Sequence, residues 1–261
     1  MSRFALIPAR LQSFVRLAKF IHVKDAAKLA MLVFAPTETT QVFVRRWTLP
    51  VTIRPGTSDL AVFHKILLDQ EYAPPDRLNP LAILDAGAYI GLSSLYFHFC
   101  FPDATIIALE PDPENFRLLK SNTERIPKII AINSALWSSS TPQKFTVESM
   151  APWASRVSER PASEVKLVKC MTIDDADKLS ECRIDFIKLD IEGGEAEVFK
   201  DVPSNLLARL KAIVIEFHER FFPGSSEPFL KAVNAIKHRR FEQGENSWFI
   251  FDHSMSSNPP H

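Results

Sequence analysis

Apolar residues along this chain gather into short, almost unbroken runs. Five occupy its middle: "LAILD" (81–85), "ATIIALE" (104–110), "KIIAIN" (128–133), "IDFIKLD" (184–190) and "KAIVIEFH" (211–218). A strand with one wet face alternates apolar and polar residues, whereas a strand covered on both faces has no polar side to alternate with. The runs therefore predict buried strands. Between the first two, Leu92, Leu95, Tyr96 and Phe99 recur at helical spacing, and Pro102 ends the element. Between the second and third, Asp112 is suited to cap a helix with Pro113 at its first position and Glu114 behind it. Phe116 and Leu119 then face the sheet. Strand alternating with helix implies crossover connections and a parallel sheet wound on both sides.

Two segments depart from that alternation. Residues 136–170 hold "SSSTPQ" and "APWAS" around "KFTVE" and "VKLVKC", which predicts a hairpin or irregular insertion, followed by a short helix over Asp174–Leu179. After a helix over 226–239, "FEQGENSWFIF" reads as two strands joined by Gly244-Glu245-Asn246. The expected fold is α/β: a doubly wound, mainly parallel, seven-stranded Rossmann-like sheet with an antiparallel C-terminal strand pair and an N-terminal helical extension. The chain divides into the extension (1–50) and one domain (51–255), without internal repeats.

The extension carries Arg3, Arg10, Arg16, Lys19 and Lys24 and no acid through residue 24, while Leu11, Phe14, Val15, Ala18 and Ile21 roughly follow a helical period. Such a segment is either a helix packed against the main domain, the favoured reading, or a surface anchor or targeting segment in peripheral membrane contact. The apolar stretch Ala26–Ala35 contains Lys28 and is too short to span a bilayer, so no transmembrane segment is expected. The 31 basic and 31 acidic residues cancel, which argues against nucleic acid as a partner. Three cysteines without metal spacing fit reduced thiols in a cytoplasmic protein. No feature specifies an oligomeric state.

The first apolar run leads into "ILDAGAYIGLSS" (83–94), a strand, a tight turn and a helix start. A dinucleotide turn needs a second glycine for the pyrophosphate, and Tyr89 stands there instead. S-adenosylmethionine (SAM) suits the turn better. Asp85 can meet its ammonium directly or through water, Gly87 keeps the turn open, and backbone N–H groups near Gly91 can receive its carboxylate. Glu110 offers two acceptor oxygens to a ribose diol. Ser134, just after the third run, lies where an adenine edge is expected.

Taken together, "LDAGAYIGLSSLYF", "EPDPENFRLL", "IDFIKLDIEGGEAEVF" and "IVIEFH" resemble the FkbM-type SAM-dependent methyltransferases, and "RPGTSDLAVFHKILLDQEY" (54–72) is similar to the segment preceding them there. The resemblance spans about Val51 to His218. It implies the class I SAM-methyltransferase sheet and transfer of a methyl to a hydroxyl of a sugar, polyketide or related small metabolite, making a small molecule or glycan the acceptor. Tyr89 stands where that family usually has asparagine and is expected to line the pocket.

Alternation along a strand puts Lys188 and Asp190 on one face, and Glu216 and His218 on one face of the next. With both strands in register, Lys188 meets Glu216 as a structural ion pair and Asp190 lies beside His218. His218 is then the candidate general base, with Asp190 orienting it or acting as base itself, and Asp190 also borders the cofactor. A hydrogen-bonded strand-end histidine is an equally open reading. Glu192, Glu195 and His218 could instead join Asp190 around a divalent metal, but their spacing matches no metal signature, so a metal is possible and not favoured. Trp153 is the first candidate for an acceptor contact. Two rivals remain: a non-catalytic SAM- or partner-binding module, and a dinucleotide-dependent oxidoreductase.

Overall fold

The computed structural model describes residues 15–32, 39–47, 49–54, 56–146, 165–200 and 204–252. Helix α1 (Val23–Leu32) leads to an antiparallel pair, β1 (Thr40–Val42) and β2 (Val51–Ile53), which bridges the boundary expected at residue 50. Helix α2 (Asp59–Leu67) follows. Next come β3 (Ala82–Ala86), α3 (Leu92–Cys100), β4 (Thr105–Leu109), α4 (Pro113–Thr123) and β5 (Ile129–Ile132). The insertion contributes β6 (Ala135–Leu136), β7 (Gln143–Thr146), β8 (Val165–Val168) and β9 (Cys170–Met171). The chain then runs through α5 (Ile173–Asp177), β10 (Phe186–Leu189), α6 (Glu195–Phe199), α7 (Ser204–Arg209), β11 (Ala212–Glu216), α8 (Glu227–Val233), β12 (His238–Gln243) and β13 (Asn246–Phe251).

Seven strands form the central sheet in the order β12-β13-β11-β10-β3-β4-β5. The pairs among β11, β10, β3, β4 and β5 are parallel, and β13 is antiparallel to both β11 and β12. Chain order reverses between β3 and β10, where open α/β sheets leave a crevice at the strands' carboxyl ends.

The continuous apolar runs find their cause in two cores. Ile83, Ile106, Phe186 and Val214 face a layer that includes Phe63, Leu95 and Phe97. Their strand neighbours Leu84, Ile107, Ile187 and Ile213 face the other, with Val198, Leu207 and Phe229. Leu17, Ile21, Leu29 and Val42 belong to the first layer, so the described part of the N-terminal segment packs on the same core as the sheet. Residues 1–14, including Leu11 and Phe14 of the expected basic helix, lie outside the described residues. Among the described residues, no helix is long and apolar enough to cross a membrane.

Several expectations need correction. In α3, Phe97 is fully buried against the rings of Tyr72 and Phe186, whereas Phe99 is exposed, so the helix is rotated from the face its i, i+7 spacing suggested. Strand β12 begins at His238, within the stretch expected to be helical. The insertion does contain a hairpin, β7 against β8, but its connecting residues, Trp153 among them, lie outside the described residues. In α4 the expected cap is present: the Asp112 carboxylate accepts from the Glu114 and Asn115 N–H groups.

Register overturns the predicted ion pair. Lys188 stands level with Asp85 of β3 on one side and with Val214 of β11 on the other, so Glu216 is a full residue pair too far along. Its ammonium lies 3.3 Å from Asp85 Oδ1 and donates to the Ala86 and Gly87 carbonyls at 3.2 and 2.6 Å. Both side chains are essentially closed to solvent. Breaking a buried pair leaves its partner charge uncompensated, at a cost of about 3–5 kcal/mol. Lys188→Met should therefore lower unfolding free energy by about that amount in urea titrations, and adding Asp85→Asn should recover much of it. Glu216→Gln should stay within about 1 kcal/mol of the parent; a loss as large as that of Lys188→Met would restore the original pairing.

Candidate functional site

A cavity of about 400 Å³ opens at the switch point and receives side chains from both halves of the sheet. Its position depends on Gly87. That residue follows β3 at φ +75°, and a Cβ there would stand 1.8 Å from the Asp190 carbonyl oxygen, so only glycine lets the two loops cross. The turn's N–H groups are largely committed. Gly87 and Ala88 donate to the Leu109 carbonyl, Gly91 to Ala88, and Tyr89 to Glu110. Gly91, at φ +90°, opens α3 without lining the cavity; Leu92 and Ser93, in the helix's first turn, do line it.

Glu110 directly follows β4 and borders the cavity. Its Oε2 accepts the Tyr89 N–H and its Oε1 the Asp112 N–H, both at 2.9 Å. Each oxygen keeps a second lone pair. Burial pushes this carboxyl up to about 8, against the opposing pull of those two N–H donors. Tyr89 adopts φ +54° and its phenol donates to Asp59 Oδ1 at 2.6 Å. Asp59 is fully buried and is held by the Arg54 guanidinium at 2.9 and 3.0 Å. Sequence reasoning saw 54–72 only as part of a resemblance; this network ties that segment to the turn. Burial and Asp59 push the Tyr89 phenol well up, so it remains a neutral donor.

Asp85 and Ser134 do not line the cavity. The Asp85 carboxylate is fully buried, accepts the Ser93 and Ser94 hydroxyls at 2.6 Å each and faces Lys188, so direct contact with a ligand ammonium gives way to support from beneath the turn. The Ser134 hydroxyl is buried and donates to the Lys169 carbonyl. Ala135, Leu136 and Trp137 carry the wall onward from β5, and Trp137 stacks edge-on against Phe145.

The other half of the cavity is acidic. Asp190 follows β10, Glu192 sits at φ +54° in the next turn, and Glu216 ends β11. All three meet the Nε2 edge of His218, at 3.7, 3.4 and 3.6 Å from Asp190 Oδ1, Glu192 Oε2 and Glu216 Oε1. On the opposite edge, Nδ1 pairs with the fully buried Glu195 at 2.8 Å. Asp190 and His218 are thus brought together as expected, with Glu192, Glu195 and Glu216 added around them. Burial pulls the imidazole down, but Glu195, Asp190 and Glu192 outweigh it and push His218 up to about 9. These neighbours favour the protonated ring, and in that form it has no lone pair for an incoming proton. Burial, and then the Asp190 charge, push Glu216 up to about 7 against the pull of His218.

The family description Methyltransferase FkbM domain matches residues 85–242, a span that contains both carboxylate groups of the cavity. Methyltransferase sdnD of Sordaria araneosa is 25% identical over 206 residues, covering 66% of this chain and 78% of that protein. Hexuronic acid methyltransferase AglP of Haloferax volcanii is 28% identical over 136 residues, covering 51% of this chain and 54% of that protein. Among solved structures, methyltransferase FkbM from Methylobacillus flagellatus aligns with 70% of this chain and 47% of its own, at a TM-score of 0.48 and 15% identity.

Proposed function

We propose that this chain, which belongs to the FkbM methyltransferase family, takes its methyl group from SAM and transfers it to a hydroxyl of a sugar or related small metabolite. The observation that carries the donor assignment is Glu110, a carboxylate at the end of β4 that borders the cavity and is held from behind by two backbone N–H groups. Its remaining lone pairs suit the two hydroxyls of a ribose. The first turn of α3 at Leu92 and Ser93 suits the amino-acid end, and the Asp85–Lys188 pair holds the intervening turn. Bound there, the cofactor supplies a methyl group on a positively charged sulfur, open to in-line attack by a hydroxyl oxygen.

The chain's own part is to align the acceptor and take its proton. Alignment supplies much of the rate in such a displacement. Asp190 is suited to the proton, since its backbone is pressed against Gly87 and its carboxylate opens into the cavity. His218, clamped through Nδ1 by Glu195, orients that carboxylate. A sugar-like acceptor draws support from the relative that acts on a hexuronic acid.

Glu110 makes the donor assignment sensitive to pH. Two ribose hydroxyls donate to an ionised carboxylate, so a Glu110 that is protonated below about 8 must lose its proton to bind. SAM affinity in calorimetry should therefore rise from pH 6 to 8 more steeply for the native chain than for Glu110→Gln, the difference isolating this group from the cofactor's own amine. Glu110→Ala should weaken binding by about 1.5–3 kcal/mol. Equal affinities and equal pH slopes in all three proteins would remove Glu110 as the ribose contact, and a native chain that does not bind SAM would refute the donor assignment.

Catalysis is tested separately. With isotopically labelled SAM and a metabolite extract as acceptor source, Asp190→Asn should retain SAM affinity yet transfer label about 10²–10⁴ times more slowly. Transfer at the parent rate would remove Asp190 as the proton acceptor.

A further inference from the structure

We infer that Asp190, Glu192 and His218, with Glu216 beside them, form a binding site for one divalent cation of the Mn²⁺ type. Asp190, Glu192 and His218 each offer a ligand atom, and these atoms lie within 4.8 Å of one another. His218 is 6% exposed, and its Nε2 makes no hydrogen bond among the described residues while facing three carboxylate oxygens at 3.4–3.7 Å. Neighbouring ligands around a six-coordinate ion with bonds of about 2.1 Å stand about 3 Å apart. The observed separations exceed that by roughly half an ångström, room that a cation would draw in.

Two further features favour a cation. Glu195 accepts the Nδ1 proton of His218, the arrangement that turns the other ring nitrogen into a ligand and fixes its aim. Lys188, which also lines the cavity, lies 3.9 Å from Asp190 but 3.3 Å from Asp85 and donates to the Ala86 and Gly87 carbonyls, so its charge is shared with Asp85 rather than given to Asp190 alone. One imidazole among carboxylates suits an ion that accepts both nitrogen and oxygen, which favours Mn²⁺ over Ca²⁺. Any part this ion takes in catalysis, by acidifying a bound acceptor hydroxyl, rests on the methylation proposed above. Its binding does not.

The test uses the full chain, without methyl donor, titrated with Mn²⁺ and read by electron paramagnetic resonance of the free ion. The parent should bind one ion per chain. Glu192→Gln and His218→Ala should each weaken binding by at least about tenfold while keeping parental SAM affinity, which reports an intact fold. Should His218→Ala fail to fold, the partly exposed Glu192→Gln decides alone. Glu219→Gln, whose carboxylate is engaged by the Gly224 and Ser226 N–H groups, should bind as the parent does. Failure of the parent to bind Mn²⁺, or binding undiminished in Glu192→Gln, overturns the site. Mn²⁺ binding in a parent that does not bind SAM would leave the site standing and remove the methylation reading instead.

Discussion

The site depends on the close crossing of two loops where the sheet changes direction. One backbone, at Gly87, passes so near another, at Asp190, that even a methyl group could not fit between them. Lys188 reinforces the crossing from below, since the same ammonium faces Asp85 and donates to the successive carbonyls of Ala86 and Gly87. A charge buried this deeply contributes little net stability compared with an apolar replacement. Its value here is positional: it fixes the end of β3 relative to β10, and so fixes the distance between the two halves of the cavity.

From that joint, order spreads outward in two directions. Toward β4, Tyr89 is gripped at both ends, its N–H by Glu110 and its phenol by Asp59, which Arg54 holds in turn. A non-glycine residue at positive φ is strained, and these contacts offset that strain. Toward β11, Glu195 at the start of α6 reaches across to His218, so the loop carrying Glu192 is tied at its far end to the segment that follows β11. Gly193 makes that closure possible, because a Cβ there would collide with the Phe222 ring at 2.2 Å.

Much of this framework was legible in the sequence because burial leaves a simple trace. Strands covered on both faces read as apolar runs, and Asp112-Pro113 announced α4 by the chemistry of its first turn. Glu110 followed from a strand end alone, whereas Asp190 and His218 meet although the register that suggested their pairing is not the one observed, Leu189 standing level with Ile215. What could not be read was register. A one-pair offset between β10 and β11 moves Lys188 from Glu216 to Asp85, and nothing in either run marks its partner's level. The same limit hid Asp59, a single acid before a helix that resembles an ordinary cap until Arg54 and Tyr89 converge on it. Phe97 escaped for a different reason: Tyr72 and Phe186 decide which face of α3 is inside, and both lie far away in the chain.

The two carboxylate groups divide the cavity by chemistry. Glu110 stands apart from other acids except Asp112, so burial dominates it and two backbone donors keep it usable. Around His218, four carboxylates crowd one ring, and burial together with the Asp190 charge pushes Glu216 up. Such a cluster is stable only with positive charge at its centre. A proton on the imidazole, a divalent ion among the oxygens, or the cationic sulfur of a bound donor nearby each meets that need to a different degree. A proton on Nε2 and a divalent ion claim the same lone pair, so each excludes the other.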